Sequence, residues 1–98
     1  MNIKEIQEQC VADSEEWWPS ARSDFAYKFL CLAGETGEAC NVWKKHLRGS
    51  INESTAVELL KGELADVLTY LCELAGQLGI DLEEAYKVKR EFNAERFA

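Results

Sequence analysis

The sequence predicts an all-α fold: one four-helix domain spanning residues 1–98. Three observations carry that expectation. Apolar residues recur at three- and four-residue spacing over long stretches, the period of an amphipathic helix. Nowhere do apolar and polar residues alternate with the period of two that a half-buried strand requires. The chain also holds a single proline, Pro19, so few positions forbid a helix. At 98 residues there is material for one small core, not two.

The first helix is expected over residues 3–17, with Ile3, Ile6, Cys10 and Trp17 on one face. Asn2 followed by Glu5 has the pattern of a capping box at its start. Pro19 stops it, and the connector "WWPSARSD" offers Ser23 or Asp24 as N-cap of a second helix over 25–47. That helix ends at "RGS", where Gly49 stands in the usual terminating position. After the loop "SINES", a third helix is expected over 55–78, stopping at Gly79. Asp81 and Glu84 repeat the capping pattern and open a fourth helix that runs to about residue 97. The third helix is apolar over more of its circumference than a helix on the outside of a monomer should be. Three neighbours from so short a chain leave part of it uncovered, which predicts completion by oligomerisation, as a homodimer or larger homo-oligomer.

Composition narrows the function classes. With 47% hydrophobic and 30% charged residues the chain reads as globular rather than disordered. Its formal net charge of −7 argues against general nucleic-acid binding, which needs clustered lysine and arginine over phosphates. No apolar run approaches the roughly 20 residues that span a bilayer, so no membrane role is expected. The start, "MNIKEIQEQC", lacks an apolar signal core, and a cytoplasmic location is the expectation. None of the four cysteines forms a C-x-x-C pair, and each falls at or near an apolar helical position. Buried structural thiols are therefore expected rather than ligands.

The stretch "KGELADVLTYL" breaks the helical pattern in an informative way. At 100° per residue Glu63 falls between Leu59 and Val67, inside the apolar stripe, with Asp66 at its edge. A lone carboxylate there is costly unless it finds a cation or shifts its pKa. "AGETGEA" supplies a second pair, Glu35 and Glu38, at the same i, i+3 spacing on the preceding helix. If the two helices pack antiparallel, the pairs face each other. Four carboxylates in one place repel and raise one another's pKa unless a cation joins them. Oxygen-only ligands on helices suit a hard ion, Mg²⁺ or Mn²⁺. A di-iron bundle needs Glu-x-x-His ligands, and the only histidine, His46, completes no such motif. The plainer alternative is a set of surface acids beside the core, which for one E-x-x-E alone is the better reading.

The run "LAGETGEACNVWKK" followed by "GELADVLTYLCELAGQLGIDLEEAYKVKREFNAERF" resembles the MazG-like all-α nucleoside triphosphate pyrophosphohydrolases. The shared pattern is E-x-x-E, a gap, E-x-x-D, then a last helix with a K…N-x-x-R-F-like ending. It covers residues from about 25 to 97, and 24 residues separate Glu38 from Glu63. The resemblance implies Mg²⁺-dependent cleavage between the α- and β-phosphates, giving a monophosphate and pyrophosphate. It also implies Glu35, Glu38, Glu63 and Asp66 as metal ligands and catalytic carboxylates. Lys89, Asn93 and Arg96 match positions that meet phosphate or sugar. The resemblance also points to a dimer. It leaves dUTP and phosphoribosyl-ATP hydrolysis open as related activities. A different class also remains: a non-catalytic, acidic helical module that binds a partner. The intact carboxylate quartet favours the enzyme.

Residues outside the quartet have plain readings too. With Leu82 at 0°, Tyr86, Lys89, Asn93 and Arg96 lie within a stripe about 80° wide. That row could be solvated, its stems covering the core edge, or it could hold triphosphate oxygens, Arg96 bidentately. Lys44, Lys45 and Arg48 end the second helix, where dipole complementarity suffices. Trp17 and Trp43 fit apolar stripes and are expected to pack in the core. Trp18, in the connector, is the candidate for stacking on a base.

Overall fold

The computed structural model describes residues 1–19 and 24–98. Among them are four α-helices and no strand: α1 (Ile3–Trp17), α2 (Phe25–Leu47), α3 (Glu53–Gln77) and α4 (Leu82–Arg96). The all-α expectation holds. No helix among the described residues is long and apolar enough to cross a membrane.

Local chemistry sets the helix ends. Asn2 Oδ1 accepts from the Glu5 amide at 2.8 Å, and Asp81 Oδ1 accepts from the Glu84 amide at 3.1 Å. Asp24 caps α2 by accepting from the Tyr27 amide at 3.0 Å. Ser23, the other candidate for that cap, lies outside the described residues. Helix α3 begins two residues earlier than expected because Asn52, inside the presumed loop, caps it by accepting from the Thr55 amide at 2.8 Å. Gly49 and Gly79 take φ of 81° and 75°, the left-handed conformation that ends a helix. Past Gly79 the Ile80 amide donates back to the Ala75 carbonyl at 2.9 Å, closing the end of α3.

The chain forms two compact units, and the division falls within α3. One unit comprises Met1–Ser23 and Cys72–Ala98; the other is Asp24–Leu71.

In the first unit, α1 seats on the last turns of α3 through Gly76. A Cβ there would stand 2.5 Å from Val11 Cγ2, so glycine is what permits the approach. The buried side chains of α1 are Gln7 and Ser14. That corrects the apolar face expected for this helix. Ser14 Oγ donates to Glu73 at 2.9 Å, and Gln7 bonds the chain between α3 and α4, so hydrogen bonding turned these residues inward. Trp17, expected in the core, is 60% exposed.

In the second unit, Ala39, Val42 and Ala56 are buried, and so is Lys28 of α2. His46 Nδ1 lies 3.1 Å from the Ile51 carbonyl, and its ring lies 4.7 Å from that of Trp43. Leu59, Leu64, Leu68 and Leu71 of α3 are exposed. The four cysteines are free, and only Cys72 is fully buried; Cys40 is exposed, so the expectation of buried thiols holds for Cys72 alone.

Candidate metal centre

Glu35 and Glu38 sit one turn apart on α2, and Glu63 and Asp66 one turn apart on α3, all four within the Asp24–Leu71 unit. One carboxylate oxygen each from Glu35, Glu63 and Asp66 comes within 4.8 Å of the other two. Glu38 stands outside that trio, one turn from Glu35 on α2, and its carboxyl is near enough to raise the pKa of both Glu35 and Glu63.

The inner pair is half-buried and incompletely satisfied. Glu35 Oε2 and Glu63 Oε2 are shielded from solvent and have no hydrogen-bond partner among the described residues. Glu38 and Asp66 are exposed. Lost hydration is the main cause holding the Glu35 carboxyl above the ordinary carboxylate range. The charges of Glu38 and Asp66, the hydrogen bond to Glu38, and the charge of Glu63 add to it. Lost hydration also leads at Glu63, followed by the hydrogen bond to and charge of Glu38, then the charge of Asp66. Among the described residues, no lysine or arginine forms an ion pair with these carboxylates. A divalent cation would answer both deficits, pairing with the orphaned oxygens and neutralising the cluster. The donor set, all carboxylate oxygen, fits Mg²⁺ or Mn²⁺.

A thiol and two phenols adjoin this cluster; the sequence places Cys31 beside the first acid pair as an apolar neighbour, and it did not single out the phenols. Tyr27 and Tyr70 both lie close enough to Cys31 for it to raise their pKa, and Tyr70 lies close enough to Glu35 to feel its charge. Burial first, then Cys31 and Glu35, push the Tyr70 phenol up. The signal was present as spacing: Cys31 is one turn before Glu35, and Tyr70 one turn after Asp66.

The remaining candidates belong to the other unit. Lys89 and Arg96 are exposed on α4 and Asn93 is half-buried. Lys89 Nζ lies 4.8 Å from the centre of the Phe92 ring, and Arg96 Cζ lies 5.1 Å from that of Phe97. These contacts are short-range cation–π pairs along one helix. Trp18 is 66% exposed. The structure thus gathers Glu35, Glu63 and Asp66, with Glu38 adjoining, and assigns Lys89, Asn93, Arg96 and Trp18 to a separate compact unit. Lys44 and Lys45 occupy the last turn of α2, where their charge complements the helix dipole. No family model matches the chain, and no curated protein or solved structure matches it.

Proposed function

We propose that this chain is an Mg²⁺-dependent nucleoside triphosphate pyrophosphohydrolase, with Mn²⁺ able to substitute, converting a (d)NTP to the monophosphate and pyrophosphate. One observation carries the reading: three carboxylates from two helices converge within 4.8 Å, and two of them have buried, unpartnered oxygens. Surface acids beside a core would turn those oxygens to water, because leaving them orphaned costs free energy and returns nothing to the fold. The motif resemblance supplies the reaction.

In this reading Glu35, Glu63 and Asp66 hold the ion. Bound there, Mg²⁺ supplies charge neutralisation for the phosphates and acidification of a coordinated water. Glu38 lies outside the trio and is exposed. That frees its carboxylate to orient the attacking water and take its proton. The water oxygen then attaches to the α-phosphorus and the bond to the bridging oxygen breaks, with pyrophosphate leaving. The motif resemblance offers Lys89, Asn93 and Arg96 as candidates for phosphate or sugar contact, and Trp18 is the candidate for stacking on a base. The exposed Leu59, Leu64, Leu68 and Leu71 of α3 support a homodimer or larger homo-oligomer. A compact monomer at micromolar concentration in sedimentation would remove that part.

The deciding experiment incubates the protein with a panel of ribo- and deoxyribonucleoside triphosphates, dUTP and phosphoribosyl-ATP included, with and without Mg²⁺. Equal amounts of monophosphate and pyrophosphate, formed only with the cation, are expected from at least one member. No product from any member would leave the acidic helical interaction module as the better reading.

A further inference from the structure

A cleft of about 380 Å³ opens within the unit of Met1–Ser23 with Cys72–Ala98, where α1 passes the last turns of α3. Its size falls within the range of small-ligand sites, about 300–1,000 Å³. Val11, Ala12 and Gly76 give it an apolar floor. Gly76 keeps that floor low, since a Cβ there would stand 2.5 Å from Val11 Cγ2.

The charged groups of the lining are spread along this floor. Glu8 and Asp81 stand towards one end, because Gln7, the neighbour of Glu8, bonds the backbone on either side of Asp81. Glu15 stands towards the other end, seven positions beyond Glu8 on α1, a helical rise of about 10 Å. Val11 and Ala12 lie between the two glutamates. Lys4 completes the lining, which therefore holds three carboxylates to one ammonium, an excess of two negative charges.

This spacing does not suit a metal ion. Among the described residues, the acids whose oxygens come within 4.8 Å of one another are Glu35, Glu63 and Asp66. A small ion in the cleft would meet one end of it and lose hydration to an apolar floor. A cation that fits carries two positive charges separated by an apolar chain.

We propose that this cleft binds a linear aliphatic diamine in its doubly protonated form. One ammonium meets Glu8 and Asp81, the methylene chain covers Val11, Ala12 and Gly76, and the second ammonium meets Glu15. Two positive charges match the excess of two negative ones, and the chain removes apolar floor from water. The acids are exposed, so each ion pair alone is weak. Selectivity comes from engaging both ends through one connecting chain. None of these residues belongs to the carboxylate cluster, so the site is independent of the pyrophosphohydrolase reading.

The test is isothermal titration of the wild-type chain with heptamethylenediamine, whose seven methylenes match the separation of Glu8 and Glu15. Heptylamine, which lacks the second ammonium, and trimethylenediamine, which is too short to reach both ends, serve as controls. Saturable binding of one heptamethylenediamine per chain is expected, at least about fivefold tighter than either control. Ala12→Phe fills the floor from an exposed helical position, and Glu8→Gln removes one charge; each should weaken binding by at least about fivefold with helicity unchanged. Equal binding of heptylamine would reduce the cleft to an apolar surface and overturn the proposal. Equal binding of trimethylenediamine, or unchanged binding in Ala12→Phe, would place the diamine elsewhere on this acidic chain and overturn it too. So would a wild type that shows no saturable binding at millimolar diamine. None of these readouts requires hydrolysis, so the outcome is separate from that of the nucleotide panel.

Discussion

Each compact unit buries glutamate on a helix, and the two treat it differently. In the unit of Met1–Ser23 with Cys72–Ala98, Glu73 is 9% exposed and accepts a hydrogen bond from Ser14 Oγ at 2.9 Å. In the Asp24–Leu71 unit, Glu35 and Glu63 are less deeply buried, yet each keeps an orphaned oxygen and faces other carboxylates. Glu73 is matched by a donor from the protein and behaves as part of the fold. Among the described residues Glu35 and Glu63 each keep an oxygen without a donor, and lost hydration first, then the neighbouring carboxylates, holds their pKa values up. Depth of burial therefore does not identify a ligand-binding acid. The identity of its neighbours does.

The strongest way to break this contrast is Glu63→Gln. Hydrolysis should fall at least about 100-fold, the scale of losing one preorganised electrostatic group. The cation-free protein should melt higher than wild type, because one like charge is gone, and Mg²⁺ should stabilise it less. Melting curves with and without Mg²⁺ check this; equal stabilisation of both forms would remove Glu63 from the site.

A smaller loss is expected on α4. Arg96→Ala and Lys89→Ala should each lower kcat/KM by about tenfold, the worth of one charge-assisted contact of roughly 1.4 kcal/mol. Helicity and Mg²⁺ binding should stay as in wild type. Unchanged kinetics would leave this row as solvated surface.

Ser14→Ala tests the other side of the comparison. Removing the donor to Glu73 should cost about 1 kcal/mol and lower the melting temperature by roughly 4–8 °C. The hydrolysis rate should stay within about twofold of wild type. A large loss of activity with little loss of stability would mean that Glu73 is not the structural member of the pair.

The smallest effect is a pH dependence. In the folded state Glu35 and Glu63 bind protons more tightly than a free glutamate, whose pKa is 4.5. Their stabilising contribution is thus complete below that value and is lost as pH rises through the raised folded pKa values. Without Mg²⁺, acidification from neutrality towards pH 5 should raise the melting temperature of wild type. With saturating Mg²⁺ the rise should shrink, since the cation competes with those protons, and in Glu63→Gln it should be weaker. A melting temperature that falls on acidification in cation-free wild type would contradict the raised pKa values.

Features local in sequence were legible without coordinates. Helices over 3–17 and 25–47 are found at those bounds, because apolar period, Asn2, Asp24, Pro19 and Gly49 all act within a turn or two of themselves. The i, i+3 acid pairs were legible for the same reason, since helical geometry alone puts their members on one side. Asn52 was missed as a cap because a loop and an N-cap use the same residues. What only the tertiary structure decided depends on groups distant along the chain. That one oxygen each of Glu35, Glu63 and Asp66 lie within 4.8 Å while Glu38 stands outside the trio follows from how two helices meet. That Gln7 and Ser14 turn inward while Trp17 stays exposed depends on acceptors and donors more than 50 residues away. Helical periodicity registers apolarity, and a polar side chain is buried only where a partner from elsewhere satisfies its hydrogen bonds.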